Sequence, residues 1–151
     1  MKAICIIDTT IFCELLAVPN MHANAELTTL ELEEKLANRE RLLLPLTTVI
    51  ETGNHIGQNG DGTLRRRAAQ LFVDQVKQAL TGEAPFVLTR LFEYAQLVAC
   101  LDRFPDWATM KRGLGDLTIV REYELLCELH RGRRVYIWSN DEDLQGYDSA
   151  S

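Results

Sequence analysis

The first eight residues constrain this chain more than any other segment. Ala3-Ile4-Cys5-Ile6-Ile7 is an unbroken run of five apolar residues, and Asp8 follows at once. An uninterrupted apolar run predicts a strand buried on both faces, as in a parallel sheet covered by helices on each side. An acid directly after such a strand is costly to desolvate unless a partner compensates it. Asp8 is therefore hard to explain as packing alone.

The remaining sequence alternates short apolar runs with amphipathic stretches, the pattern of an α/β domain with a mostly parallel sheet. Thr9 or Thr10 is placed to cap a first helix ending near Leu16. Glu26 to Ala37 reads as a surface helix, with Leu27, Leu30, Leu32 and Leu36 set among acids. Leu42 to Leu46 is a second strand, with Pro45 marking its end, and Thr48 starts a helix toward Ile56. Residues 57–62 form a glycine-rich loop. From Leu64 to Leu80 the apolar spacing is helical, and Gly82 stops it. Phe86 to Leu88 is a third strand, Leu91 to Leu101 a buried helix and Phe104-Pro105-Asp106 a turn. A helix from Asp116 to His130 precedes a fourth strand, Val135 to Trp138. Asp141 to Leu144 is a single helical turn, and residues 147–151 are the one segment expected to be disordered.

At 151 residues the chain fits one domain. A domain of this size buries roughly two-thirds of its unfolded surface, so it needs no disulfide to fold. Cys5, Cys13, Cys100 and Cys127 form no CxxC pair, and three lie in apolar stretches. Buried free thiols in a reducing compartment are expected. The opening apolar run is too short for a signal peptide or a membrane span, so a soluble cytoplasmic protein is expected. The net charge of −6 argues against a generic polyanion binder, so any contact with nucleic acid must rest on local basic patches or on metal ions.

Four acids share one kind of location. Asp8 ends the first strand, Glu51 follows the second, Asp116 opens a helix after Gly113-Leu114-Gly115, and Asp141 follows the fourth strand. Strand C-termini and helix N-termini share one edge of an open parallel sheet, where such folds bind ligands. Carboxylates gathered there repel one another unless protons or cations compensate, and an all-oxygen set suits Mg²⁺ or Mn²⁺. Each acid also has a structural alternative. Glu51 could close a capping box begun by Thr48, and Asp116 and Asp141 could complement helix dipoles.

The motifs around these acids resemble those of the PIN-domain family of nucleases. Ile6-Ile7-Asp8-Thr9-Thr10 is similar to its opening strand and turn, and Thr47-Thr48-Val49-Ile50-Glu51 to its second acidic motif. Gly113-Leu114-Gly115-Asp116 resembles its helix-opening aspartate. Val135 to Asp141, followed by Asp143-Leu144, is similar to its closing strand and Ser/Thr-x-Asp element. The resemblance spans nearly the whole chain in order. It implies a three-layer α/β/α domain over residues 1–151 and Mg²⁺- or Mn²⁺-dependent endoribonuclease activity, commonly as the toxin of a toxin–antitoxin pair. It also implies metal ligation by Asp8, Glu51, Asp116 and Asp141, with Ser139 as a supporting polar group. The implied partners are an RNA substrate and an antitoxin or other protein, with a homodimer left open and no membrane. Thr10 stands where the family usually has Asn, and the family's final strand is shortened or absent.

Basic residues flank this set. Arg65-Arg66-Arg67 and Lys111-Arg112 are candidate nucleic-acid contacts. Arg65 to Arg67 could equally form a solvated face or ion-pair with the helix carrying Glu31, Glu33 and Glu34. His22, His55 and His130 lack metal-ligand spacing, although His55 lies four residues beyond Glu51. Trp107 and Trp138 are expected in the core. No dinucleotide fingerprint or phosphate-binding P-loop occurs. Two other functions compete with the nuclease. One is a PIN-like scaffold that binds protein without catalysis. The other is a phosphoryl-transfer enzyme with Asp8 as nucleophile, which would want a second Asp at position 10.

Overall fold

The computed structural model describes residues 2–90 and 93–150. The strands β1 (Ile4–Ile7), β2 (Arg41–Pro45), β3 (Phe86–Thr89) and β4 (Val135–Trp138) form one parallel sheet in the order β3-β2-β1-β4. Every residue of β1 and β4 is buried, as a strand covered on both faces requires. Among the described residues seven helices connect or flank the strands: α1 (Thr9–Leu15), α2 (Ala25–Ala37), α3 (Leu46–Gln58), α4 (Gly62–Thr81), α5 (Tyr94–Thr109), α6 (Leu114–Leu129) and α7 (Glu142–Gln145).

Side-chain alternation along the strands divides the core in two. Cys5, Ile7, Leu42, Leu44, Tyr136 and Trp138 face α1, α3 and α4, where Phe12 meets Phe86 edge-on at 5.7 Å. Ile4, Ile6, Leu43, Val135 and Ile137 face Trp107 of α5, Leu117 and Ile119 of α6, and Leu144 of α7. The result is a three-layer α/β/α domain, as expected. Cys5, Cys13 and Cys100 are buried, Cys127 is half-buried, and all four thiols are free. Trp107 and Trp138 are core residues. Among the described residues no helix is long and apolar enough to cross a membrane.

Several boundaries differ from expectation for identifiable reasons. Asp8, rather than Thr9 or Thr10, caps α1. The loop expected over 57–62 shrinks, because α3 runs through Gln58 and Asp61 caps α4 with its carboxylate on the Leu64 amide, 2.9 Å away. α4 ends as expected at Gly82, whose φ of 82° closes the helix in the left-handed region. The turn expected at Phe104-Pro105-Asp106 lies inside α5. Leu101 and Pro105 are both exposed, so the carbonyl that proline leaves unpaired can be hydrated. That helix is also largely exposed, with only Cys100 and Trp107 buried, and its expected start at Leu91 lies outside the described residues. α6 begins two residues earlier than expected, which puts Asp116 in its first turn.

The C-terminal segment is docked, where disorder was expected. Tyr136 and Asp148 form an antiparallel bridge, and the Tyr147 carbonyl accepts the Ile137 amide at 3.0 Å. The Arg134 guanidinium holds the Asp148 carboxylate through two hydrogen bonds of 3.0 and 2.7 Å, which keep that carboxyl below its ordinary pKa. Tyr147 packs edge-on against Tyr123 at 5.5 Å. The bridge is an isolated antiparallel contact along the edge of β4. Tyr147→Ala should lower stability by about 1–2 kcal/mol and the melting temperature by about 2–8 °C. Circular dichroism melting checks this, and an unchanged midpoint would mean that the segment contributes nothing.

Candidate active site

The carboxyl ends of β1 and β4 lie side by side where the connections leave the sheet in opposite directions, the crevice in which parallel sheets bind ligands. Asp8 stands there with only 2% of its surface exposed. Its Oδ2 accepts the Ser139 hydroxyl at 2.7 Å, the Thr10 hydroxyl at 2.8 Å and the Thr10 amide at 3.3 Å. Each hydroxyl has one proton and spends it on Asp8, so each can also accept. Ser139 Oγ takes the Asp141 amide at 2.9 Å, and Thr10 Oγ1 takes the Asn140 amide at 3.0 Å. Thr10 thus joins the turn after β1 to the turn after β4. All three of these bonds to the Asp8 carboxylate fall on Oδ2.

Glu51 enters from α3, which starts directly after β2 with Pro45 as its cap. The capping-box alternative is therefore wrong: Thr48 is buried within the helix and donates to the Ile7 carbonyl at 2.8 Å. Glu51 lies in the second turn and accepts the Thr9 hydroxyl on Oε2 at 3.0 Å. Its other oxygen presses against the first turn of α6. A Cβ added to Gly115 would lie 1.8 Å from Glu51 Oε1, closer than any real contact. Only glycine at 115 lets this carboxylate settle on the helix N-terminus, where the backbone dipole favours an anion. A hydrogen bond of 2.9 Å between Thr47 and Thr118 fastens the two helices beside it.

Asp116 follows Gly115, and Asp141 caps α7 by accepting the Asp143 amide at 2.9 Å. The helix-terminal roles considered for both acids are thus real, yet the acids also share one field. The Asp116 carboxyl is pushed up to about 6, first by burial and then by the charges of Asp8, Glu51 and Asp141. Arg112 opposes the shift. Its guanidinium lies 3.9 Å over the Trp107 ring and donates to the Asp143 carbonyl at 3.0 Å. Lys111, at a left-handed φ of 59°, turns the chain so that Arg112 folds back over that ring. As the side chains stand, no group of three or more Asp, Glu, His or Cys among the described residues is arranged to hold a metal ion. The donor set is nonetheless all oxygen, as hard cations require.

No family profile matches the chain, and neither a curated protein nor a solved structure is significantly similar to it.

Arg65, Arg66 and Arg67 are exposed on the first turns of α4. None ion-pairs with α2, whose Glu31 accepts the Trp138 indole N–H at 3.0 Å instead. Lys111 is likewise exposed. His55 is half-buried one turn beyond Glu51, and its carbonyl accepts the Asn59 amide group. Sequence reasoning missed Glu14, a buried carboxylate of α1 that accepts the Asn24 amide at 3.0 Å and the Asn140 side chain at 3.5 Å. It also missed the clearance role of Gly115. An acid within an apolar helix, and a glycine immediately before an acid, were the available signals.

Between pH about 4 and about 6 the folded chain keeps a proton on Asp116 that the unfolded chain releases, so this group lowers stability as pH rises through that window. Asp116→Asn should stabilise the protein at pH 7.5 by about 1 kcal/mol, allowing for solvent screening of the partly exposed carboxyl. The gain should vanish near pH 4. Urea unfolding at both pH values tests this, and a variant no more stable than the parent at pH 7.5 would contradict it.

Proposed function

We propose that this chain is a metal-dependent endoribonuclease of PIN type, acting as the toxin of a toxin–antitoxin pair in the cytoplasm. The observation that carries the proposal is the convergence of Asp8, Glu51, Asp116 and Asp141 on one sheet edge, close enough for three of them to raise the proton affinity of the fourth. Such mutual repulsion destabilises the fold, and a purely structural cluster gains nothing from it. The buried free thiols fit a reducing compartment.

Asp8, Glu51, Asp116 and Asp141 would hold one or two Mg²⁺ or Mn²⁺ ions. A bound ion of this kind lowers the pKa of a coordinated water and stabilises the leaving oxygen of a phosphodiester. Ser139 and Thr10 fix the Asp8 carboxylate through Oδ2. Gly115 clears the position taken by Glu51, and Arg112, steadied on Trp107, offers a guanidinium to a phosphate beside Asp116. Lys111 and the exposed Arg65 to Arg67 extend the cationic surface available to an RNA strand.

Incubation of purified protein with single-stranded RNA and Mn²⁺ should give cleavage that EDTA abolishes. Asp8→Asn and Asp116→Asn should each reduce the rate by at least about a hundredfold. Metal-independent cleavage, or full activity in both variants, would sink the proposal. A folded protein that neither cleaves RNA nor binds Mn²⁺ calorimetrically would instead be the protein-binding scaffold.

Gly115→Ala provides a separate check, because alanine is welcome in a helix but its methyl must displace Glu51. The variant should melt no lower than the parent yet bind Mn²⁺ about tenfold more weakly. Equal Mn²⁺ affinity would remove Glu51 from the ligand set.

A further inference from the structure

Another buried carboxylate, Glu122, lies away from the acidic edge. Glu122 of α6 has 7% of its surface exposed and lines a cavity of about 350 Å³ between that helix and the β2–β3 side of the sheet. Leu43, Leu126 and Leu129 form much of the wall. The Thr89 hydroxyl donates to Glu122 Oε1 at 2.6 Å. Burial pushes the Glu122 carboxyl up, with the Thr89 bond as the one opposing influence. A volume of this size is within the ordinary range for small-ligand sites.

Two exposed guanidinia border the same cavity, Arg41 at the start of β2 and Arg90 just past β3. Neither belongs to any of the ion pairs among the described residues, and neither contributes to the shift of Glu122. The cavity therefore offers a hydrogen-bond acceptor in its wall, apolar sides and cations at its mouth, with the two signs of charge held apart. An aliphatic stem suits the leucines, an ammonium group suits a carboxylate held by a single Thr89 hydrogen bond, and an anion suits the exposed guanidinia.

We propose that this cavity is a binding site for an aliphatic primary amine whose far end carries a carboxylate, with the ammonium on Glu122 and the carboxylate at Arg41 or Arg90. A free ω-amino acid has this chemistry, and so does a lysine side chain in an acidic peptide. The site is independent of the nuclease assignment.

Isothermal titration with 6-aminohexanoate tests the proposal, with hexanoate and hexylamine as comparisons. The zwitterion should bind at least about tenfold more tightly than either comparison, because each lacks one of the two charge contacts. Glu122→Gln keeps an acceptor for Thr89 and the packing volume, and should weaken the zwitterion by about tenfold or more. Arg41→Gln and Arg90→Gln should identify which guanidinium meets the carboxylate. The peptide acetyl-Asp-Lys-Asp-amide separates the sources: tighter binding than 6-aminohexanoate assigns the site to a protein segment, and weaker binding to a free metabolite. Absence of zwitterion binding to the parent protein, equal affinity for hexanoate, or an unchanged affinity in a folded Glu122→Gln variant would each overturn the proposal.

Discussion

The buried carboxylate of Asp8 is the constraint around which the acidic edge is organised. It sits directly after a strand with no exposed residue, so its desolvation must be offset by donors. Those donors come from Thr10 and Ser139, which are far apart in sequence. Binding Asp8 therefore aligns the turns that follow β1 and β4. The same hydroxyls accept the amides of Asn140 and Asp141, so satisfying one charge also sets the backbone that presents another. Thr10 supplies both a donor and an acceptor through a single hydroxyl.

The fold was legible where burial dominates and less so where polar chemistry sets the boundaries. The apolar runs of β1 and β4 carry an unambiguous signal, because a strand covered on both faces has no polar side to dilute it. Helix starts were harder to place. Thr48 has the spacing of a cap, but the preceding strand delivers the chain into a helix two residues earlier and turns its hydroxyl to the Ile7 carbonyl. Pro105 looked like a stop, yet on a solvent-facing turn the unpaired carbonyl can be hydrated and α5 continues. The docked C-terminal segment depends on Arg134 and Tyr123, contacts that local composition does not reveal.

The candidate site divides in the same way. Topology alone brings four strand-end or helix-start acids to one edge, so their convergence follows from the alternation pattern. What topology does not supply is clearance. Glu51 could have pointed to solvent, and its position over α6 depends on the missing side chain of Gly115. Nor could the sequence separate a helix-terminal role from a shared electrostatic field for Asp116 and Asp141, because Asp141 caps α7 and still raises the proton affinity of Asp116.

Asp8 and Glu122 show how similar burial leads to different chemistry. Asp8 receives three hydrogen bonds on one oxygen and has a capped helix beginning at the next residue, so donors and a favourable dipole replace water. Glu122 lies in the middle of α6, far from the favourable end of the helix, and receives one hydrogen bond from Thr89 amid leucine side chains. One carboxylate is held by three hydrogen bonds from the fold itself, and the other by one, beside an open volume. A leucine-walled volume beside a carboxylate with one hydrogen bond suits a cationic entrant, and the exposed guanidinia of Arg41 and Arg90 favour one that also carries negative charge.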